Sequence, residues 1–435
     1  MLSKPKMLKR LAIFIALATA APSFAQTTAP TTRNFDSGVW GNFAFQATSP
    51  RAHDPVVIAD GDYVYCYSTG RGLGGIRSRD LYTWQQIDPP MYGLPDWATQ
   101  DIPGARGAWA PDISYFNGKF HLYYAVSLFG KNTSVIGLAT NSTLNPDDPK
   151  YQWNDDGKVF QSVRTDNFNA IDPNLAMDEH NQPWLAFGSY WSGIKIIKLD
   201  ARTGKPAADA KVIGIASRPG DKAIEGPFIV RHGNWFYQFV SFDACCKGVE
   251  STYRTMVGRS RQITGPYEDF DGTPMLRGGG TTVLASQGNV RGPGHNGMLM
   301  NYHGRDWIAH HFYDANDNGR SHLQIRPIYW DANGWPSAGE AIDKPVDQFL
   351  ATKNFEVQGT WDFSVNFEEP KHVIFAANHS TSNSIKWSRD GSTVKLEWNA
   401  NRKAVCEIAP DGRWFAGRDS EGKVIRGKRV VGDSK

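Results

Sequence analysis

Five stretches of this 435-residue chain set a polar or charged side chain close to a proline and just ahead of a short apolar run. They are His53-Asp54-Pro55-Val56-Val57-Ile58, Trp109-Ala110-Pro111-Asp112-Ile113, Ala170-Ile171-Asp172-Pro173-Asn174-Leu175, Ala223-Ile224-Glu225-Gly226-Pro227-Phe228 and Gly292-Pro293-Gly294-His295-Asn296-Gly297. A carboxylate is poorly suited to the head of a strand that will be buried unless something there uses it, because desolvating an unpaired charge is costly. Asp54, Asp172 and Glu225 at matching places in repeated units therefore predict acid–base chemistry. Hydrolysis of a glycosidic bond fits best, since it needs one carboxyl group held protonated and another held ionised. Glu225, between Ile224 and Gly226-Pro227-Phe228, is expected to be dry enough to keep a proton. Asp54, beside His53, is expected to stay ionised as the base. The competing reading has each acid capping a turn or pairing with an arginine. Asp112 stands one residue later relative to its proline, which predicts bracing rather than catalysis. No Gly-rich phosphate loop, Gly-x-Ser-x-Gly elbow or metal-protease histidine pair occurs, so no organic cofactor is expected.

The elements that must position these acids read as strands. Asp60-Gly61, Asn117-Gly118, Gly233-Asn234, Asn333-Gly334, Asp390-Gly391 and Asp411-Gly412 are hairpin signals. Around them lie alternating or aromatic runs at 63–67, 120–124, 184–188, 235–239 and 307–311, and no long amphipathic helix is evident. The fold class is all-β. Spacings from Asp54 through Asp112, Asp172 and Glu225 to His295 are 58, 60, 53 and 70 residues, a propeller-blade period with about four strands per unit. Five copies predict a five-bladed β-propeller over 35–347, whose innermost strands bring distant acids to a shared axis; a stacked β-sandwich is the alternative. From 348 to 435 the device stops, and a small β-barrel-like domain is expected. Its tryptophans would be either sugar platforms or core filling.

The N-terminus reads as an export signal. Lys4, Lys6, Lys9 and Arg10 precede an apolar run, and Ser23-Phe24-Ala25 fits a cleavage site, giving a signal peptide over 1–25 and a flexible leader over 26–34. Its removal takes four positive charges and no negative one, so the formal net charge passes from +3 to −1. Neither a nucleic-acid nor a membrane partner is expected. Secretion, extracellular or periplasmic, and a monomeric state are. Four cysteines do not make a disulfide scaffold. Cys245 and Cys246 would form either a vicinal disulfide or two independent thiols. Asp314-Ala315-Asn316-Asp317-Asn318-Gly319 imitates an EF-hand start, but the twelfth position is Ile325, so a hairpin turn is expected.

The motifs HDPVV, WAPD, NAIDPNL, IEGPF and GPGHNG together resemble glycoside hydrolase family 43, the five-bladed propeller enzymes acting on arabinan and xylan. Within it, NAIDPNL, FGSYWSGIKIIKLD, SFDACCKGVESTYRTMVGRS, ITGPYEDFDG and DANDNG are similar to endo-α-1,5-L-arabinanases. The resemblance covers about residues 35 to 345; the segment from about 350 is similar to a β-barrel module of some bacterial arabinanases. It implies Asp54 as general base, Glu225 as general acid and Asp172 as the residue that orients Glu225 and raises its pKa, with inversion at the anomeric carbon. It places Asn169, Ile171, Ser189, Tyr190 and Trp191 along sugar subsites, with Phe129 as a stacking wall. It also implies calcium, mostly water-coordinated, at His295, and arabinan or arabino-oligosaccharides as the binding partner. An exo-acting arabinofuranosidase or β-xylosidase and a non-catalytic carbohydrate-binding propeller are the rival functions.

Overall fold

Each of the five prolines in the repeated device follows a residue with left-handed backbone. These are Asp54 (φ 51°), Ala110 (φ 44°), Asp172 (φ 56°), Gly226 (φ 57°) and Gly292 (φ 51°). Proline has no N–H for a ladder, so a break at that point sacrifices little pairing. The alignment also corrects a matching made from sequence. Ala110, not Asp112, is the counterpart of Asp54 and Asp172, and Glu225 sits one residue ahead of its blade's left-handed position. Where the device lies inside a paired strand, the register shifts: between Trp109 and Asp112, Glu225 and Phe228, and Arg291 and Gly294.

The computed structural model describes Ala44–Phe45 and residues 50–430 except 221, 353 and 354. The signal-peptide and leader readings lie outside the described residues. Five antiparallel sheets follow in chain order. The first blade runs outward from Val56–Asp60 through Tyr63–Ser68, Gly74–Ser78 and Trp84–Ile87, with Ala44–Phe45 on its outer edge. The second is Trp109–Phe116, Lys119–Val126, Ser134–Asn141 and Asn154–Ser162. The third is Asn174–Met177, Pro183–Phe187, Ile194–Asp200 and Ile213–Ala216, with a short Lys205–Pro206 strand. The fourth is Ile224–His232, Trp235–Phe242, Arg254–Ser260 and Thr281–Leu284; the fifth is Val290–Tyr302, Arg305–Asp314, Arg320–Trp330 and Pro336–Ala338. The hairpin pairs Phe116 with Lys119 and His232 with Trp235 close at the dipeptides read from sequence, while Asp60 pairs with Tyr63 and so puts the first turn at Gly61-Asp62, one residue later than read.

Apolar clusters fill the wedges between neighbouring blades. Val56, Tyr65 and Tyr67 of the first meet Ile113, Leu122 and Tyr124 of the second. The ring closes where Val57, Val64 and Trp84 of the first blade pack with Leu299, Trp307 and Leu323 of the fifth. Trp414 and Ala416, from the C-terminal segment, join that same cluster. They belong to a curled seven-stranded sheet, in order Lys371–Phe375, Gly359–Val365, Val424–Arg429, Trp414–Asp419, Lys403–Ile408, Thr393–Glu397 and Lys386–Asp390. Bridges from Phe375 to Thr381 and from Ser380 to Lys386 link its two edges. Trp361, Trp387 and Trp414 are buried and fill core rather than stack on sugars, while Trp398 is half-buried against the same core.

Candidate active site

Asp54 is drawn to the fifth blade by its backbone. Its N–H donates to His311 Nδ1 at 3.1 Å, and its left-handed conformation turns the carboxylate toward three histidines. Oδ2 lies 2.9 Å from His53 Nδ1, and Oδ1 lies 3.2 Å from His295 Nδ1 and 3.6 Å from His311 Nδ1. Thr69 Oγ1 donates to Oδ2 at 2.6 Å and accepts from Ala110 N at 2.8 Å, which ties Asp54 to its counterpart in the second blade. Burial alone would push this carboxyl up. His53 and His295, followed by His311, outweigh it and hold the group well below the usual carboxylate range.

Glu225 meets the opposite environment. Burial is the largest influence and raises its pKa, and the negative Asp54 raises it further. Two hydrogen bonds work against this: Ser189 Oγ donates to Oε2 at 2.7 Å and Tyr253 OH to Oε1 at 2.8 Å. Asp172 is buried beside it and is likewise pushed up, by burial, then by Glu225, then by Asp54. Its Oδ2 accepts from Gly226 N at 3.0 Å, so it holds the peptide that follows Glu225 rather than the Glu225 side chain. The cluster thus contains one carboxyl kept ionised and two that resist ionisation, the division needed for a base and an acid.

The other expected site residues divide into exposed and buried groups. Phe129 is 82% exposed, and Tyr190 and Trp191 are exposed at 40% and 45%. The last two have left-handed backbones (φ 52° and 42°) in a turn held by Tyr190 N to Ile224 O and Gly193 N to Tyr190 O. Ser189 is buried, and its hydrogen goes to Glu225. Asn169 is buried too and spends its amide on Lys131 O and Ser134 Oγ, which orders the loop carrying Phe129. Ile171 is buried and accepts Gly188 N through its carbonyl. His295 faces Asp54. Asp112 lies outside the cluster: it accepts from Leu175 N at 2.8 Å and Asn174 Nδ2 at 2.9 Å, bracing the second blade against the third. The Asp314 to Gly319 stretch is a hairpin turn between Arg305–Asp314 and Arg320–Trp330, with Asp314 accepting Asn316 N.

The family model for glycosyl hydrolases family 43 matches residues 48–336, nearly the whole propeller. The chain belongs to glycoside hydrolase family 43. It is a glycoside hydrolase. An extracellular exo-α-(1→5)-L-arabinofuranosidase of Cellvibrio japonicus is 41% identical over 313 residues, 69% of this chain and 89% of the relative. An extracellular endo-α-(1→5)-L-arabinanase of Bacillus subtilis is 40% identical over 343 residues, 77% of this chain and all of the relative. Among solved structures, an α-L-arabinanase of Cellvibrio cellulosa complexed with arabinohexaose superposes with a TM-score of 0.65 at 40% identity, covering 67% of this chain and 96% of that one.

Four residues around the acids were not singled out by the sequence reading. Tyr253 lies in a loop after the fourth blade's second strand, within a motif that carries the family resemblance but with nothing to single it out, and His311 lies in the fifth blade's aromatic strand. Thr69 ends a strand, and Tyr313 bonds His53 Nε2 at 2.9 Å. Only His53, adjacent to Asp54, was suggestive by position.

Proposed function

We propose that this family-43 hydrolase is a secreted endo-arabinanase that cleaves internal α-1,5-L-arabinofuranosidic bonds of arabinan with inversion. The observation that carries the reading is the opposite direction in which their surroundings shift the pKa values of Asp54 and Glu225 within one cluster. Asp54 takes a proton from a water as that water attacks the anomeric carbon. Glu225 gives its proton to the departing glycosidic oxygen, so one C–O bond forms as the other breaks. Asp172 keeps the Gly226 peptide, and with it Glu225, in place. Inversion requires a base–acid separation of about 6.5–9.5 Å so that the water fits between. Phe129, Tyr190 and Trp191 offer apolar faces to furanose rings. The B. subtilis relative, matched over its full length and named an extracellular endo-arabinanase, supports endo action and export. The C. japonicus relative, of nearly equal identity, is named an exo-acting arabinofuranosidase and supports the second reading. Time-resolved product profiling on linear arabinan separates them: mixed oligomers early mean endo action, and arabinose alone means exo. Proton NMR of the first product tests the stereochemistry, and retained configuration would end the inverting mechanism.

Calcium at His295 belongs to the same proposal. The donor set suits it only as a hydrated ion. His295 brings one imidazole, and neighbouring Asn296 is buried with neither amide atom hydrogen-bonded within the protein. The nearby His53, Asp54 and His311 group is nitrogen-rich, which suits a transition metal better, and its atoms already engage one another. When bound, calcium would add positive charge beside the acid cluster. Chelation should lower the melting temperature and calcium return should restore it; an unchanged melt after verified metal removal would dismiss the ion.

A further inference from the structure

Residues 243–253 link the second and third strands of the fourth blade and carry a disulfide between the adjacent Cys245 and Cys246. A bond between neighbouring cysteines closes a small ring that contains their shared peptide, so it restricts the direction of the Cys246 N–H. That N–H donates to Tyr313 OH at 2.8 Å. Tyr313 OH lies 2.9 Å from His53 Nε2, and His53 Nδ1 lies 2.9 Å from Asp54 Oδ2. Cys246 Sγ also stands 3.8 Å from His53 Nε2, and His311 stacks on the His53 ring at 4.2 Å between centroids.

The two ends of this chain fix every hydrogen between them. A backbone N–H can only donate, and an ionised carboxylate can only accept. Tyr313 therefore accepts from Cys246 and directs its own hydrogen to Nε2, which leaves the ring hydrogen on Nδ1, toward Asp54. If His53 becomes charged, Nε2–H donates back to the phenol oxygen and Nδ1–H still faces Asp54. We propose that the Cys245–Cys246 turn and Tyr313 are positioning residues that hold His53, and through it the Asp54 carboxylate, in its working orientation. None of the three need touch sugar or water. The kinetic part of this inference rests on the arabinan-hydrolase reading above; the hydrogen-bond chain does not.

The test uses the full chain labelled with 15N-histidine, at alkaline pH where His53 is neutral, with its signals assigned by their loss in His53→Gln. In Tyr313→Phe the Nε2 resonance should move to the position of an imidazole nitrogen that accepts no hydrogen bond. Turnover on linear arabino-oligosaccharides should fall about tenfold, the upper end for one lost hydrogen bond between neutral groups, with KM little changed. The Cys245→Ser/Cys246→Ser double variant, verified folded by circular dichroism, should move both readouts in the same direction by less. An unmoved Nε2 resonance in Tyr313→Phe overturns the chain, and a moved resonance with unchanged kcat overturns its role in positioning the base. If the parent enzyme cleaves no arabinan, the functional reading falls, while the resonance still decides the chain.

Discussion

Asp54 and Glu225 share one buried cluster, and their neighbours separate their charge states. Burial and the negative Asp54 raise the pKa of Glu225 against its hydroxyl donors and the smaller pull of His53; Asp54 has three imidazoles. Glu225→Gln and Asp54→Asn should each lower turnover by about 10²–10⁴, the usual contribution of a general acid or base, with circular dichroism unchanged. Near-parental rates in either would remove that residue from the mechanism. The pH profile has a definite sign. Activity needs Asp54 ionised and Glu225 protonated, so it falls as pH drops through the depressed value of Asp54 and as pH rises through the raised value of Glu225. Tyr253 donates to the charged form of Glu225 and so lowers its pKa. Tyr253→Phe should therefore shift the alkaline limb of the profile upward; a downward shift would contradict Glu225 as proton donor. At this scale the flank Ile224, Gly226, Pro227 and Phe228 already signalled a dry acid. Adjacent His53 already signalled an ionised Asp54, while the added pull of His295 and His311 was not legible, because both arrive from the fifth blade, His311 from 257 residues away in sequence.

At the scale of the strand and its break, the repeated device is a left-handed residue, then proline, then the innermost strand. The proline was visible as a repeat. The left-handed residue was not, since Asp, Ala and Gly fill the same place and share no chemistry. That is why Asp112 and Glu225 were aligned with Asp54, although neither occupies the kinked position. Asp112 instead joins two innermost strands. It is buried, and burial raises its pKa to about 6 despite the donors Leu175 N, Asn174 and Ser114. Asp112→Ala would leave the Leu175 and Asn174 donors unpaired and should destabilise the fold by about 2–3 kcal/mol. Urea denaturation of folded variant and parent reads this directly, and an unchanged midpoint would mean the blades need no such tie.

Across the whole molecule, the C-terminal sheet shares the cluster that closes the ring, and charged groups reinforce the junction. Glu340 lies between Arg426 Nη2 at 2.8 Å, on the C-terminal sheet, and Arg326 Nη1 at 3.6 Å, on the fifth blade. Burial opposes its charge, but Arg426 and then Arg326 overcome that and bring its pKa to about 2 from 4.5. A carboxyl depressed in the folded state stabilises it above the unfolded pKa, and this contribution is lost as pH falls through the folded value. The window is thus pH 4.5 down to 2, and the contribution at neutral pH is on the order of 3 kcal/mol. Glu340→Gln should lower stability at pH 7 by a comparable amount and flatten its dependence across that window. Denaturant midpoints at several pH values check it; parallel curves for variant and parent would show that Glu340 does not couple the two parts.

The sequence by itself determined the all-β class, the hairpin turns, the five-fold repeat and the dry setting of Glu225. Each of these is local: strand period, turn chemistry and flanking side chains act within a few residues. Tertiary structure alone decided which residues surround Asp54, which groups Asp112 braces, that Cys245 and Cys246 pair, and that Asn169 and Ser189 support the site from behind. The physical reason is ring closure. Two of the three histidines around Asp54, His295 and His311, arrive from the fifth blade, and the groups that hold Glu225 and Asp172 arrive from strands and loops joined only when neighbouring blades pack.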